Sequence, residues 1–401
     1  KNFFQMIIWL INPGEPLPVD DNQRLLRTGK LAYMLKDKNQ VLWFSSKFNH
    51  FTKSFRKEDK TEFENIKYYF IKSIGYKNNL SLRRIIDHVI LGFNLFFKLF
   101  KMKQKPDIII TSYPPIETSF FVFLFCKINN IKLICDVRDL WPYTFTNLFK
   151  KKIYKLLCKI VILPWILISK IIFKNTKIIT ISDSFAKWLQ KTSNKKVERF
   201  YHSYEKKIYT NNINNFKNLK ISEDDFIISF FGNYSEVKFD FDTVFKSSNE
   251  ISDISKNIKF IFCGDLKNIN INNLHDFSNI YFFDWINKKD LRELLNITDL
   301  GLAPYKDLWD FNMSIPNKIS EYLCYEIPIL SSLKGDTSDL IKKYKCGVNY
   351  NLNNKDDFIK IIKKIYEDKL FYKELQNGAK KASQNFTEET VLPRMANLIL
   401  D

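Results

Sequence analysis

The sequence predicts an α/β protein of two doubly wound domains in tandem. Three observations carry that prediction. Short apolar runs bounded by turn residues alternate with longer helical patterns, which is how a parallel sheet covered by helices reads. The alternation breaks at the Asn/Lys-rich stretch 205–222 and then restarts. The 401 residues are about twice what one ordinary hydrophobic core holds.

The elements follow in order. In the first half the strands are Gln5–Ile11, Val41–Phe44, Ile108–Thr111, Lys132–Asp136 and Lys177–Ser182, each an apolar run too short for a helix. Helices are expected between them, for instance over Asn22–Leu35 and Pro115–Asn129. After the linker the strands are Phe226–Phe231, Ile258–Cys263, Ile280–Phe283, Leu300–Ala303 and Ile327–Ser331. The expected organisation is residues 1–204, then 205–385, then a C-terminal helix over 386–401 that packs back on the first domain. Two such domains place a cleft between their strand ends, where open α/β sheets bind ligands. No G-x-G-x-x-G follows the first strand, so a dinucleotide-dependent dehydrogenase is a poor fit.

Composition narrows the partners. The six cysteines lack a CxxC pair and sit mostly in apolar runs, so they read as reduced small hydrophobes of a cytosolic protein. The opening FFQMIIWLI reads as a strand and not as a signal peptide. The net charge of +19 is uneven: residues 1–200 carry +21 and the rest −2. A basic half implies an anionic partner, nucleic acid or membrane, unless it is simply a solvated face. The segment 150–174 brackets an apolar stretch with lysines, but its longest uncharged run, Ile160–Ser169, is about half the 20 or so residues of a bilayer span. It reads as an interfacial helix, or alternatively as a buried helix with charged ends. The run 82–105 is similarly basic and apolar, and no nucleic-acid-reading module is present. An anionic membrane surface is therefore the expected partner, and nucleic acid is not.

The segment Ser314–Ser332 reads as a polar loop, a short helix and a buried strand. A helix N-terminus after Ser314, Ile315, Pro316, Asn317 and Lys318 suits a phosphate, and Glu321 suits a ribose diol. The simpler alternative is a surface helix with an acidic residue near its start. Gly232-Asn233 follows a buried strand, where a tight turn brings backbone amides toward a phosphate, and Lys238 lies six residues on. Asp240 and Asp242 have a metal-like spacing but are expected to begin a helix. Trp285, after another strand, either stacks on a base or packs in the core. Gly14 begins the loop after the first strand, with Asp20 and Asp21 further along it. Asp21 serves a helix cap as well as it serves an acceptor hydroxyl.

These residues together resemble glycosyltransferase family 4, of the GT-B fold. The pieces are FFGNYSEVKFDFDT (230–243), FIFCGD (260–265), FFDWINKKDLRELLNITDLGLAPY (282–305), PNKISEYLCYEIPILSS (316–332) and CGVNYNLNNKDDF (346–358). In the first half NPGEPLPVDDNQRLLRTGKLAYML, WFSSKFNHFTKSFR and DVRDLWP resemble the subgroup that includes amino-sugar transferases of O-antigen and capsule assembly. The resemblance implies two Rossmann-like domains facing a cleft. It implies a retaining hexosyl- or N-acetylhexosaminyl-transferase that moves a sugar from a nucleoside diphosphate, by family habit uridine diphosphate, to a lipid-linked or glycan acceptor. It places Gly232, Asn233, Lys238, Gly264, Asp284, Trp285, Ile286 and Ser314 through Lys318 with Glu321 on the donor. Asp20, Asp21, His50, Lys238 and Glu321 are its catalytic candidates, and Gly14, Arg24, Arg27, Arg138 and Asp139 its acceptor candidates. The family's first motif glutamate is replaced by Met313, and its phosphate arginine by Asn233-Tyr234, so backbone amides of Asn312–Ile315 are expected to hold the sugar. No cofactor or metal is expected, and the location implied is the inner face of a bacterial plasma membrane. A nucleotide-sugar epimerase and a non-catalytic, membrane-docked assembly partner are the alternatives.

Overall fold

The computed structural model describes the chain except residues 1–5, 21–23, 80, 150, 208–215, 217–220, 223 and 266–276. It divides into two compact units, residues 1–200 with 392–401 and residues 201–391.

The first unit holds β1 (Ile7–Ile11), β2 (Gln40–Ser46), β3 (Phe48–Asn49), β4 (Ser54–Phe55), β5 (Lys60–Phe63), β6 (Ile66–Ile71), β7 (Ile108–Tyr113), β8 (Lys132–Val137), β9 (Lys177–Thr180) and β10 (Val197–Arg199). Eight of these form one sheet, in the order β10-β9-β8-β7-β1-β2-β6-β5, parallel except for β5 against β6. The strand order reverses between β1 and β7, so the loops after these two strands diverge and leave a crevice. β3 and β4 form a separate hairpin that the sequence pattern did not announce, because two-residue strands carry no periodicity. The expected helix over Asn22–Leu35 begins only at Arg27, with Leu26 as its uncapped N-cap; the cap candidate Asp21 lies outside the described residues.

The second unit holds β11 (Phe226–Phe231), β12 (Ile258–Cys263), β13 (Ile280–Phe283), β14 (Leu300–Ala303), β15 (Ile329–Ser331) and β16 (Gly347–Asn349). All are parallel, in the order β13-β12-β11-β14-β15-β16. β11 is buried along its whole length, as its unbroken apolar run requires of a central parallel strand. Asp240 caps the helix Phe241–Ile254 by accepting the Thr243 amide at 3.2 Å, as expected of that aspartate pair. Here too the order reverses once, between β11 and β14. The C-terminal helix spans Glu388–Leu400; in the first unit, Lys177 Nζ donates to Leu398 O at 2.8 Å.

The segment 150–174 is not one helix. Helices Lys152–Val161 and Leu163–Asn175 meet at 59°, with Pro164 in the first turn of the second, where its missing amide costs nothing. Among the described residues no single helix is long and apolar enough to cross a membrane. The first of the two buries no residue: Ile153, Leu156, Leu157, Ile160 and Val161 are all exposed between lysines. The helix Ile116–Asn129 packs between Leu163–Asn175 and Leu82–Phe100, and the latter exposes Leu82, Ile86, Val89, Phe93, Phe97 and Phe100. That spacing of three and four is one continuous helical stripe.

Candidate functional site

The second unit's site is built on the β11/β14 reversal. The helix Asn317–Cys324 lies against β11 through two residues one turn apart. Tyr322 donates its hydroxyl to Ser229 O at 2.6 Å, and the Lys318 ammonium donates to Phe231 O. Four residues of helix and two of strand span nearly the same length, so the two contacts register together. Gly301 makes the approach possible, since a Cβ there would stand 2.5 Å from the Tyr322 ring.

β11 then turns at Gly232, whose φ of 120° favours glycine. A Cβ on Gly232 would lie 2.9 Å from Lys318 Nζ, so the amine sits directly beside the turn. Gly264 closes the neighbouring turn after β12: a Cβ there would be 1.9 Å from Gly232 O. Lys318 is buried, with its Nζ 3.8 Å from the Phe230 ring centroid and 5.0 Å from that of Phe239. Burial pulls its pKa down to about 7; Glu321 opposes the shift, and the nearby charge of Lys238 adds to it. Lys238 itself is exposed, in the turn after Ser235. Two cations thus converge beside a glycine turn, a charge state that an anion would relieve.

Glu321 is buried, one residue before Tyr322, and is the fifth residue of its helix, one turn further in than a first-turn acid. Ile315 is buried and Asn317 exposed. The expectation that amides of Asn312–Ile315 hold a sugar is corrected for three of the four. Those of Asn312, Met313 and Ser314 donate to Leu308, Trp309 and Phe311 carbonyls at 3.0, 3.1 and 3.2 Å, because 309–312 forms a helical turn of its own. The amides of Ile315, Asn317 and Lys318 have no such acceptor among the described residues. Asn312 works through its side chain instead. Its Nδ2 reaches Asp307 Oδ1 at 2.5 Å and its Oδ1 accepts the Lys334 amide at 3.2 Å, while Lys334 Nζ holds Asp307 Oδ2 at 2.6 Å. This bracket joins the loops after β14 and β15 and was not read from the sequence, which shows no pattern for a contact between two loops. Asp284 and Trp285 are exposed and Ile286 partly so; at 67% exposure Trp285 is not a core residue.

In the first unit the candidates separate into a closed network and an open pocket. Asp136, fully buried at the end of β8, accepts Arg27 Nε at 3.0 Å and Arg138 Nε at 2.8 Å. Arg138 also binds Glu15, and its Nη2 reaches Thr28 Oγ1 at 2.7 Å. Glu15 receives the Thr28 amide on both oxygens. Burial pushes the Asp136 carboxyl up, but Arg138 and Arg27 outweigh it and hold it below the usual range. Arg27 and Arg138, expected to meet an acceptor, are thus committed to neutralising buried acids. Asp20 is committed likewise: Arg56 binds both its oxygens, at 2.8 and 2.5 Å, and the Leu17 amide and Asn49 Nδ2 add to them. Arg24 and Asp139 are partly exposed and both are engaged.

His50 and Gly14 instead line a cavity of about 140 Å³ at the carboxyl ends of β1, β2 and β7, together with Tyr76, Arg84, Asp87 and His88. His50 Nδ1 is 2.6 Å from Tyr76 Oη. Burial, then the charges of Lys53 and Arg84, lower its pKa to about 4, so the ring is neutral near pH 7. Tyr76, Arg84 and His88 were not read as candidates, because the fold brings Tyr76 and the helix Leu82–Phe100 to His50 from outside its own loop. Among the described residues no group of three His, Cys, Asp or Glu side chains is placed to hold a metal ion.

Residues 211–384 match the family Glycosyl transferases group 1. No curated protein matches the chain. Solved structures similar to it include sucrose-phosphate synthase from Thermosynechococcus elongatus, at 12% identity and TM-score 0.70 over 98% of each chain. Anabaena Alr3699/HepE in complex with UDP-glucose is similar at 13% identity and TM-score 0.66, over 98% of this chain and 99% of that one. WaaG, a glycosyltransferase involved in lipopolysaccharide biosynthesis, is similar at 12% identity and TM-score 0.60, with the same coverage. Residues 211–384 therefore carry the glycosyl transferases group 1 domain, in a chain of GT-B fold.

Proposed function

We propose that the protein is a retaining glycosyltransferase that moves a hexosyl or N-acetylhexosaminyl group from a uridine diphosphate sugar to a lipid-linked or glycan acceptor in bacterial surface polysaccharide synthesis. The observation that carries the donor half is the buried Lys318 amine beside the Gly232 turn, where the charge of Lys238 adds to its own and Glu321 offsets it only in part. A diphosphate supplies the missing charge and draws the amine to its protonated form. The ammonium then stabilises the charge that grows on the leaving diphosphate, an electrostatic contribution strongest where water is excluded. Glu321, one turn behind Lys318 on the same short helix, accepts the ribose hydroxyls. The matched family and the UDP-glucose complex of the HepE relative support this reading.

The acceptor half rests on the first unit. Its net charge and the exposed apolar stripe of helix Leu82–Phe100 fit an anionic membrane surface, with lysine stems reaching past the apolar face. The working location is the inner face of the plasma membrane. A thermal-shift panel of nucleotide sugars tests the donor, because a ligand bound only to the folded state raises its stability with occupancy. A UDP-sugar is expected to raise Tm and then to be consumed when membrane-extracted acceptor is added. Absence of any shift with every nucleotide sugar would overturn the reading.

A further inference from the structure

We infer that the first-unit cavity lined by His50, Tyr76, Arg84, Asp87 and His88 binds the phosphate of the acceptor. The inference rests on the transferase reading and adds to it a ligand class and a set of residues. The cavity is about ten times the roughly 10–15 Å³ one water needs, so a phosphate or diphosphate fits. Its cations Arg84 and Lys53 are closed in no ion pair among the described residues. Arg84 has no carboxylate partner among the described residues; its Nη1 donates to Asn79 O at 2.9 Å, and its buried Nε has no acceptor. The faces of Trp141 and Tyr76, 4.8 and 5.4 Å away, hold the guanidinium plane. Lys53 stands behind His50, 3.4 Å from Nδ1, and also lacks a carboxylate partner among the described residues, donating to Asn79 Oδ1 at 2.7 Å.

The acids facing this cluster are already occupied. Asp87 Oδ1 takes the amides of Ile74 and Gly75 at 2.9 and 2.6 Å. Glu117 accepts Trp165 Nε1 at 2.6 Å and lies 3.7 Å from His88 Nδ1; burial raises its pKa. His88 is lowered to about 3 by burial, then Arg84 and His50, as His50 is lowered to about 4 by burial, Lys53 and Arg84. An anion there would be met by a planar guanidinium, two imidazoles and a phenol, a donor set suited to phosphate. The helix Leu82–Phe100 supplies Arg84, Asp87 and His88 to this cavity, and its exposed stripe begins at Leu82 and Ile86. One helix therefore offers a phosphate seat on one side and an apolar track on the other.

The test uses the full chain with ¹³C-labelled histidine, which has four imidazole signals. Inorganic diphosphate is expected to move the His50 and His88 signals and to raise both midpoints by at least one pH unit. Arg84→Gln should weaken the response at least tenfold, with unfolding temperature unchanged; Lys53→Gln, in an exposed loop, should weaken it about threefold and serves if Arg84→Gln does not fold. A short-chain prenyl diphosphate binding at least tenfold tighter than inorganic diphosphate identifies a lipid acceptor, whereas equal binding identifies a soluble phosphorylated glycan. Imidazole signals unmoved by both probes, or an unchanged response in both variants, would overturn the inference. Failure of every UDP-sugar to bind, with the imidazole response intact, would remove the transferase reading but leave the phosphate seat.

Discussion

The two units each reverse their strand order once, and at each reversal buried cations gather, but their charges are settled differently. Beside β8 in the first unit, Arg27 and Arg138 face Asp136 and Glu15, and every charge has a partner at hydrogen-bond distance. Beside β11 in the second, Lys318 has a carbonyl and aromatic rings at close range, with the opposing charges of Glu321 and Lys238 near it and no closed ion pair among the described residues. The first arrangement pairs its charges within the fold. The second is electrostatically incomplete, and incompleteness of that kind marks a site that a substrate finishes. Buried charge by itself does not distinguish structure from function; the presence of its counter-charge does.

The sharpest way to break the comparison is to open the closed network. Asp136→Asn should strand the buried Arg27 guanidinium, while Arg138 keeps Glu15, and cost about 3–5 kcal/mol in denaturant unfolding, with nucleotide-sugar affinity of the remaining folded protein unchanged. If affinity fell while stability held, the network would belong to the site. Next in size, Lys318→Met should lower kcat/KM by about 10²–10³. It should also stabilise the unliganded protein. Because the folded pKa of Lys318 lies below its unfolded value, the unfolded chain binds the extra proton between pH 7 and 10.5, so the lysine's cost is greatest at and below about pH 7 and fades as pH rises. The gain from methionine should follow the same course. Donor affinity should weaken as pH rises above about 7, by up to tenfold per unit, and Lys318→Arg should flatten that dependence because arginine stays charged.

Smaller effects sharpen the contrast further. Phe93→Ser with Phe97→Ser removes two exposed rings from the stripe and should weaken binding to phosphatidylglycerol vesicles by about tenfold or more, leaving Tm unchanged. Unchanged vesicle binding would place the docking face elsewhere. Lys238→Ala should reduce donor affinity by only about threefold, and less at high salt, since the group is exposed.

Much of the fold was legible because buried parallel strands are near-continuous apolar runs. Phe226–Phe231, Ile258–Cys263, Ile280–Phe283 and Leu300–Ala303 agree with the structure at both ends. The short β3–β4 hairpin and β16 were not, since two or three residues carry no period. The glycine at 232 and the lysine at 318 could be singled out by local chemistry, but their adjacency could not. It depends on the helix Asn317–Cys324 lying on β11, which Gly301 permits. Asp20, Arg27 and Arg138 looked available in sequence because nothing local shows that Arg56, Asp136 and Glu15 are waiting for them.

What the sequence determined by itself is the alternation of strand and helix, the restart after residue 205, the basic first half and the glycine turn. These depend on burial patterns and on backbone freedom, which are properties of neighbours along the chain. Tertiary structure alone decided which charges are neutralised and which are left open. A pKa and an ion pair depend on groups brought within a few ångströms by folding, and the arginines Arg138 and Arg84 differ in what the fold set beside them.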